Sequence, residues 1–174
     1  FYNELYPDCD DTAEILIFLD RLNLPDQSYK LKETERAMSW LLSMQCKNGG
    51  WAAFDIDNDK ELLNKVPFAD HGAMLDPPTA DVSGRVLWML GRIGFKKENP
   101  QVRRLVDFIK NEQESDGSWW GRWGVNYIYG SWLALTGLKS IGEDMSQPFV
   151  RRAMKWYEDH QNEDGGWGET CESY

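Results

Sequence analysis

Arg36-Ala37-Met38-Ser39-Trp40-Leu41-Leu42-Ser43-Met44-Gln45-Cys46-Lys47-Asn48-Gly49-Gly50-Trp51 is a stretch that the chain writes three times. The second copy repeats its key positions as Arg104-Leu105, Phe108-Ile109, Gln113, Gly117 and Trp119; the third has Arg152-Ala153, Trp156-Tyr157, Gln161, Gly165 and Trp167. The front half of each copy has helical spacing, the glycine suits a helix end, and the tryptophan is placed to fold back over it. The glutamine amide can bond free backbone groups at a neighbouring helix end while the indole packs above it. Each copy is therefore expected to clamp onto the next, as in architectures built from stacked repeats.

Further helical segments lie between the copies, so the chain reads as three helix pairs. They are expected at about 11–22 with 34–46, 79–93 with 100–113, and 127–141 with 147–161. Asn99 before Pro100 is a cap followed by the preferred first helical residue, and Ser146 is a second cap candidate. Short connections such as 23–28 and 94–98 make the members of a pair antiparallel neighbours. The fold class is all-α: a solenoid or a partial α/α toroid, with the more apolar first helices inside and the repeat helices outside.

One connection breaks this rhythm. Asn48 to Pro78 exceeds the ~15 residues beyond which a loop in a compact domain is usually functional or disordered. Its Asp55-Ile56-Asp57-Asn58-Asp59 string suggests a calcium loop, but Lys60 stands where glycine is needed and Val66 where glutamate is needed, so no metal is expected. His71, alone in the same loop, reads as a hydrogen-bonded structural residue.

Composition narrows the function. Net charge is −10 over 174 residues, with no basic run, which argues against nucleic acid. No apolar run is long enough to span a bilayer, and no signal-peptide pattern opens the chain. Cys9, Cys46 and Cys171 are odd in number and far apart, so neither a disulfide framework nor a metal site is implied and a reducing compartment fits. The chain opens at Phe1 and stops in mid-pattern at Tyr174, as a piece of a longer protein is expected to do.

Chemistry concentrates in Pro7-Asp8-Cys9-Asp10-Asp11-Thr12-Ala13-Glu14, three carboxylates set against the apolar run Ile15 to Leu19. One reading is a helix start, with Asp11 as N-cap and Glu14 as its capping-box partner. The other is that one carboxyl keeps its proton and delivers it. Like charges sharing a site raise a carboxyl's pKa, and burial pushes the same way, against a helix-dipole effect of only about 0.3–1 kcal/mol.

The strings DCDDTAE, NGGWAAFDIDN, DPPTADV, DGSWWGRWGVNYIYG and NEDGGWGETCESY, with the three Gln-Trp copies, resemble the squalene-hopene cyclase family of class II triterpene cyclases over the whole chain. The resemblance implies about half of an (α/α)6 barrel, residues 1–174 being one partial domain of a two-domain enzyme. It implies that Asp10 is the proton donor, with Asp8 and Asp11 holding and polarising it and Asp81 in the same network. Where the family's best-known pattern has histidine this chain has Arg85. Arginine cannot cycle a proton; it is either a cation that strengthens Asp10 as an acid or a plain i,i+4 partner of Asp81.

An alkene has no lone pair, so its protonation needs a strong acid in a dry pocket, and the cation formed needs aromatic faces rather than nucleophiles. By the same resemblance Trp123 and Tyr129 lie in that wall, Tyr129 also relaying protons. Phe54 and Phe68 match positions by the cavity and its entrance, and Tyr6 and Trp132 are further candidates. For any single ring, ordinary packing is the competing reading. The implied substrate is squalene, or another linear polyprenoid such as a tetraprenyl hydrocarbon, with no cofactor. The parent is implied to be monotopic on the cytoplasmic face of the cell membrane, and a homodimer. A non-catalytic α/α binding scaffold is the alternative class; it would not require the acidic triplet.

Overall fold

A computed structural model describes residues 6–22, 32–60 and 74–173. Phe68, His71 and the 23–28 connection lie outside the described residues. The helices are α1 (Cys9–Arg21), α2 (Lys32–Ser43), α3 (Ala80–Arg92), α4 (Pro100–Asn111), α5 (Asn126–Ser140) and α6 (Pro148–Asp159), with a 3-10 turn at Cys171–Ser173. Among the described residues the β content is one isolated bridge, Asn58 to Asp76. The all-α expectation and the order of helices hold.

Two caps fall differently from expectation. α1 is capped by Asp8, whose Oδ1 accepts the backbone N–H groups of Asp10 (2.7 Å) and Asp11 (3.1 Å), so Asp11 lies inside the helix and is not its N-cap. Both aspartates suit the cap chemically; Asp8 takes it because Cys9 N–H is drawn to the Ala53 carbonyl at 2.7 Å, which fixes where the chain enters the helix. At α6 the cap position is Gln147, without a side-chain cap bond, and Ser146 Oγ instead donates to Asp144 Oδ1 (2.7 Å) in the turn before it. Asn99 does cap α4, its Oδ1 accepting from Gln101 N at 2.9 Å.

The first helices of the pairs pack together. Arg85 on α3 reaches Asp10 and Glu14 on α1, while Arg92, two turns further along, reaches Asp20. A Cβ built on Gly84 would lie 2.6 Å from the carbonyl carbon of Leu133 on α5, and one on Gly91 would lie 2.6 Å from that of Ser140. Contacts that advance together along both partners mean that α1, α3 and α5 run parallel. α3 is at the centre, with Ala80 to Leu87, Met89 and Leu90 buried. Its approach to α5 is backbone on backbone: a Cβ on Gly137 would meet Gly84 O at 2.5 Å, so neither position has room for a side chain. That closeness sets the spacing of the side chains on the open face.

The repeats lock the outer helices as their pattern suggests. Gln45 Nε2 donates to Gly49 O (2.9 Å) in its own copy and to Gln101 O (3.0 Å) in the first turn of α4. Gln113 Nε2 repeats this with Gly117 O and Phe149 O, both at 2.8 Å. Arg104 and Arg152 return bonds to the Oε1 atoms of Gln45 and Gln113. Trp51 and Trp119 are fully buried, and their indoles donate to Leu41 O (2.8 Å) and Ile109 O (2.7 Å), carbonyls in the last helical turn that lack a full set of helix partners. The repeat glycine has φ near +97° at Gly49 and +100° at Gly117, a conformation that other residues resist. The tryptophans also reach inward: Trp51 N donates to Ser83 Oγ on α3 at 2.9 Å, and Trp119 N to Ser131 Oγ on α5 at 2.8 Å.

Candidate active site

Because the inner helices are parallel, their N-terminal ends meet at one pole. Asp10 lies in the first turn of α1, Asp81 in that of α3, and Tyr129 in that of α5. Arg85, one turn into α3, ties Asp10 and Tyr129 together: Nε donates to Asp10 Oδ1 at 2.6 Å, Nη1 to Glu14 Oε2, and Nη2 to the Tyr129 hydroxyl at 3.0 Å. The reading of Arg85 as a plain partner of Asp81 is thereby overturned. Asp81 spends Oδ2 on Trp123 N–H (2.9 Å), and Oδ1 is buried without a hydrogen-bond partner among the described residues.

The electrostatics follow from this geometry. Asp10 has its pKa raised to about 6, first by burial and then by the charges of Asp81 and Asp8, with Arg85 pulling the other way. Burial leads, and carboxylate crowding is the smaller contribution. Burial likewise raises Asp8 against its two backbone hydrogen bonds. For Arg85, burial disfavours the cation, but Asp10 and Tyr129 outweigh it and raise its pKa. Burial and the Asp10 charge also push Tyr129 up, so it stays a neutral phenol. Asp11 is exposed and adds no side-chain hydrogen bond to this set.

Aromatic rings continue from the acid on both sides. Tyr6 stacks on Phe54 with centroids 4.9 Å apart, and Phe54 meets Trp123 edge-on at 5.9 Å. Tyr129 lies 6.2 Å from Trp132, which meets Trp88 at 6.2 Å. The helical period sets Asp10, Glu14 and Phe18 on one stripe of α1, and Asp81, Arg85 and Trp88 on one stripe of α3. Phe18, Trp132, Trp123 and Tyr6 each expose about half their surface (56%, 45%, 47% and 49%).

Three supporting carboxylates escape a reading of motifs. Glu14, expected as the capping-box partner of Asp11, instead joins the acid cluster through Arg85, since the cap is Asp8; its place four residues after Asp10 is the signal for it. Asp76 is buried and gathers the backbone N–H groups of Ala53 (3.3 Å), Phe54 (2.6 Å) and Asp55 (2.7 Å), which aims the Phe54 ring. Glu169 accepts from Tyr127 N (3.1 Å) and Ile128 N (2.8 Å), completing the N-terminus of α5, where Val125 offers no side-chain cap. Replacing Glu169 with alanine is expected to lower stability by about 1 kcal/mol, as loss of a helix cap does. A shift of the urea midpoint without a change of slope is the check.

The parallel inner helices thus gather a protonatable carboxyl, a guanidinium and several aromatic rings at one pole of an all-α fold. Comparison with known proteins gives the family. The profile of the squalene-hopene cyclase C-terminal domain matches residues 1–174. The chain is 57% identical over 172 residues to a squalene-hopene cyclase of Schizosaccharomyces japonicus, covering 99% of this chain and 26% of that protein. It is 50% identical over 174 residues to that of Alicyclobacillus acidocaldarius, covering 100% and 28%. Against the sporulenol synthase of Bacillus subtilis identity is 50% over 169 residues, covering 96% of this chain and 26% of that protein. The chain belongs to the squalene-hopene cyclase family and spans about a quarter of the length of these relatives.

Proposed function

We propose that the chain supplies the proton-donating part of a class II terpene cyclase, with Asp10 as the acid and squalene, or a related linear polyprenoid, as substrate. What supports this reading is a largely buried carboxyl bonded to a guanidinium and pushed up to about 6 by that burial, at the pole where Asp81 holds Trp123 and Arg85 holds Tyr129. Oδ1 of Asp10 is held by Arg85, which leaves Oδ2 to carry the proton. That proton adds to one carbon of a terminal double bond, and the π pair becomes the new C–H bond. The cation left on the other carbon is attacked by the next double bond. Arg85 stabilises the carboxylate produced. Trp123, Phe54 and Tyr6 face the cation, each ring contributing about 0.5–2 kcal/mol without offering a lone pair. Asp81 and Asp8 hold the backbone around the acid, and the Tyr129 hydroxyl, which accepts from Arg85, is the group proposed to relay a proton back to Asp10 through water. Loss of a proton to a base ends the reaction as a hydrocarbon, and capture of water ends it as an alcohol.

Among the described residues no helix is long and apolar enough to cross a membrane. A parent protein resting on the membrane surface and drawing its apolar substrate from the bilayer fits the proposal. The isolated chain, with Phe18, Ile15 and Trp132 open, is expected to be inactive.

The test is incubation of the full-length protein with squalene and, separately, with a tetraprenyl hydrocarbon, the products being identified by mass spectrometry. Recovery of both substrates unchanged would sink the proposal. The pH dependence has a definite sign: the acid works only when protonated, so kcat/KM holds below about pH 6 and falls about tenfold per unit above it. A profile that is flat, or rising, between pH 5 and 8 contradicts Asp10 as the donor.

A further inference from the structure

We propose that Glu14 is a positioning residue for this reaction: by holding the Nη1 arm of Arg85 it sets how much of the guanidinium charge reaches Asp10. The inference rests on the reading of Asp10 as donor.

Arg85 uses its three nitrogens on three separate partners, Asp10, Glu14 and the Tyr129 hydroxyl. Its side chain is only 11% exposed, against 22% for Asp10 and 49% for Glu14. A guanidinium so enclosed is costly unless an anion accompanies it. In the resting state of a proton donor, Asp10 is neutral and cannot be that anion. Asp81 makes no ion pair with Arg85: its Oδ2 takes Trp123 N–H and its Oδ1 has no hydrogen-bond partner among the described residues. Tyr129 stays protonated. Glu14 is then the ionised group that pairs with Arg85 while Asp10 keeps its proton.

Without Glu14 the same guanidinium would have Asp10 as its one carboxylate partner, and the pair would favour the ionised, spent acid. With Glu14 present, release of the proton leaves two carboxylates on one cation, and the excess negative charge favours proton return. The conflict that arginine introduces, a stronger acid that is protonated less often, is thus relieved by a second carboxylate one helical turn away. Other groups around Asp10 act in known directions. Asp8 at the cap of α1 and Asp81 on α3 favour its protonated form, with Asp11 on α1 and Asp76 in the preceding loop as the further acidic groups nearby; Arg85 and the Tyr129 hydroxyl are the groups that Glu14 works through.

The experiment uses the full-length protein with squalene, measuring kcat/KM from pH 4.5 to 8 for wild type, Glu14→Gln, Glu14→Ala, Arg85→Gln, the Glu14→Gln/Arg85→Gln double variant, and Asp10→Asn. Removing Glu14 is expected to move the alkaline limb down by about one pH unit, the lower end of what an opposing charge does, so that activity at pH 7 falls about tenfold. In the Arg85→Gln background the same substitution should move the limb by less than half as much. A uniform loss at every pH in both Glu14 variants, a limb that does not move, or equal shifts in both backgrounds would overturn the inference. Asp10→Asn separates the two layers. If it is inactive while the Glu14 limb stays put, only the role of Glu14 fails; if it turns over normally, the donor reading itself fails.

Discussion

Asp10→Asn in the full-length protein is expected to abolish cyclisation, with a loss of at least about a thousandfold, while the fold persists. General acids contribute about 10²–10⁴ in rate. The upper part of that range applies because an alkene offers no basic atom through which water could act instead. Asparagine is close in shape, and its Oδ1 can still accept from Arg85 Nε, so the geometry at 2.6 Å need not change. Only the transferable proton is lost.

Stability should move in an informative direction. The pKa of Asp10 is raised to about 6 in the folded protein, above its ordinary value, so the protonated form is the one the fold prefers. Its stabilising contribution is complete below the unfolded pKa near 4 and disappears as pH rises through about 6. The variant has no such dependence. Thermal unfolding from pH 4 to 7.5 should therefore show wild type losing ground relative to Asp10→Asn as pH rises. A variant that keeps turnover would remove the basis for calling Asp10 the acid, and a stability difference that does not change with pH would contradict its raised pKa.

How much of this was legible before the coordinates depended on the range of each interaction. The three Gln-Trp copies disclosed the architecture because each joint is local on one side and repeated in register on the other. One glutamine bonds its own glycine carbonyl and the next outer helix at once. The acid pole was legible as a cluster but not as a wiring diagram. Asp81 and Arg85 are four residues apart on one helix, and spacing alone suggests that they pair. Arg85 turned instead to α1, because Asp10 and Glu14 are brought against α3 by packing that no spacing within α3 encodes. Asp8 and Asp11 are both suitable caps, and a bond from Cys9 to Ala53, far along the chain, decided between them. Asp76 and Glu169 act on backbone groups more than twenty residues away, so their partners have no side-chain signature to search for. Phe68, expected by the cavity entrance, lies outside the described residues.

The second large effect is on stability, and it compares one substitution at two equivalent places. Trp119→Ala is expected to cost about 3–5 kcal/mol, the usual range for emptying a buried aromatic site. In the 174-residue chain taken by itself, Trp167→Ala should cost no more than about 1 kcal/mol, in the manner of surface changes. The chemistry is shared: each indole donates to a carbonyl in the last turn of its own helix, Ile109 O at 2.7 Å and Tyr157 O at 2.8 Å. The surroundings differ. Trp119 is fully buried and meets Phe149 of the next outer helix edge-on at 6.5 Å, whereas Trp167 is 45% exposed. Gln113 likewise holds Phe149 O, while among the described residues the bond of Gln161 is to Gly165 O in its own copy. The comparison thus isolates what the joint between repeats contributes beyond the indole's own hydrogen bond. Urea unfolding of the two variants, with equal slopes, is the measurement, and equal losses at both positions would mean that the joint adds nothing. The backbone N–H of Trp119 that holds Ser131 Oγ survives in the alanine variant, so the Tyr129 hydroxyl should stay on Arg85 and the loss should be one of packing and of the indole bond to Ile109 O, not of the acid pole.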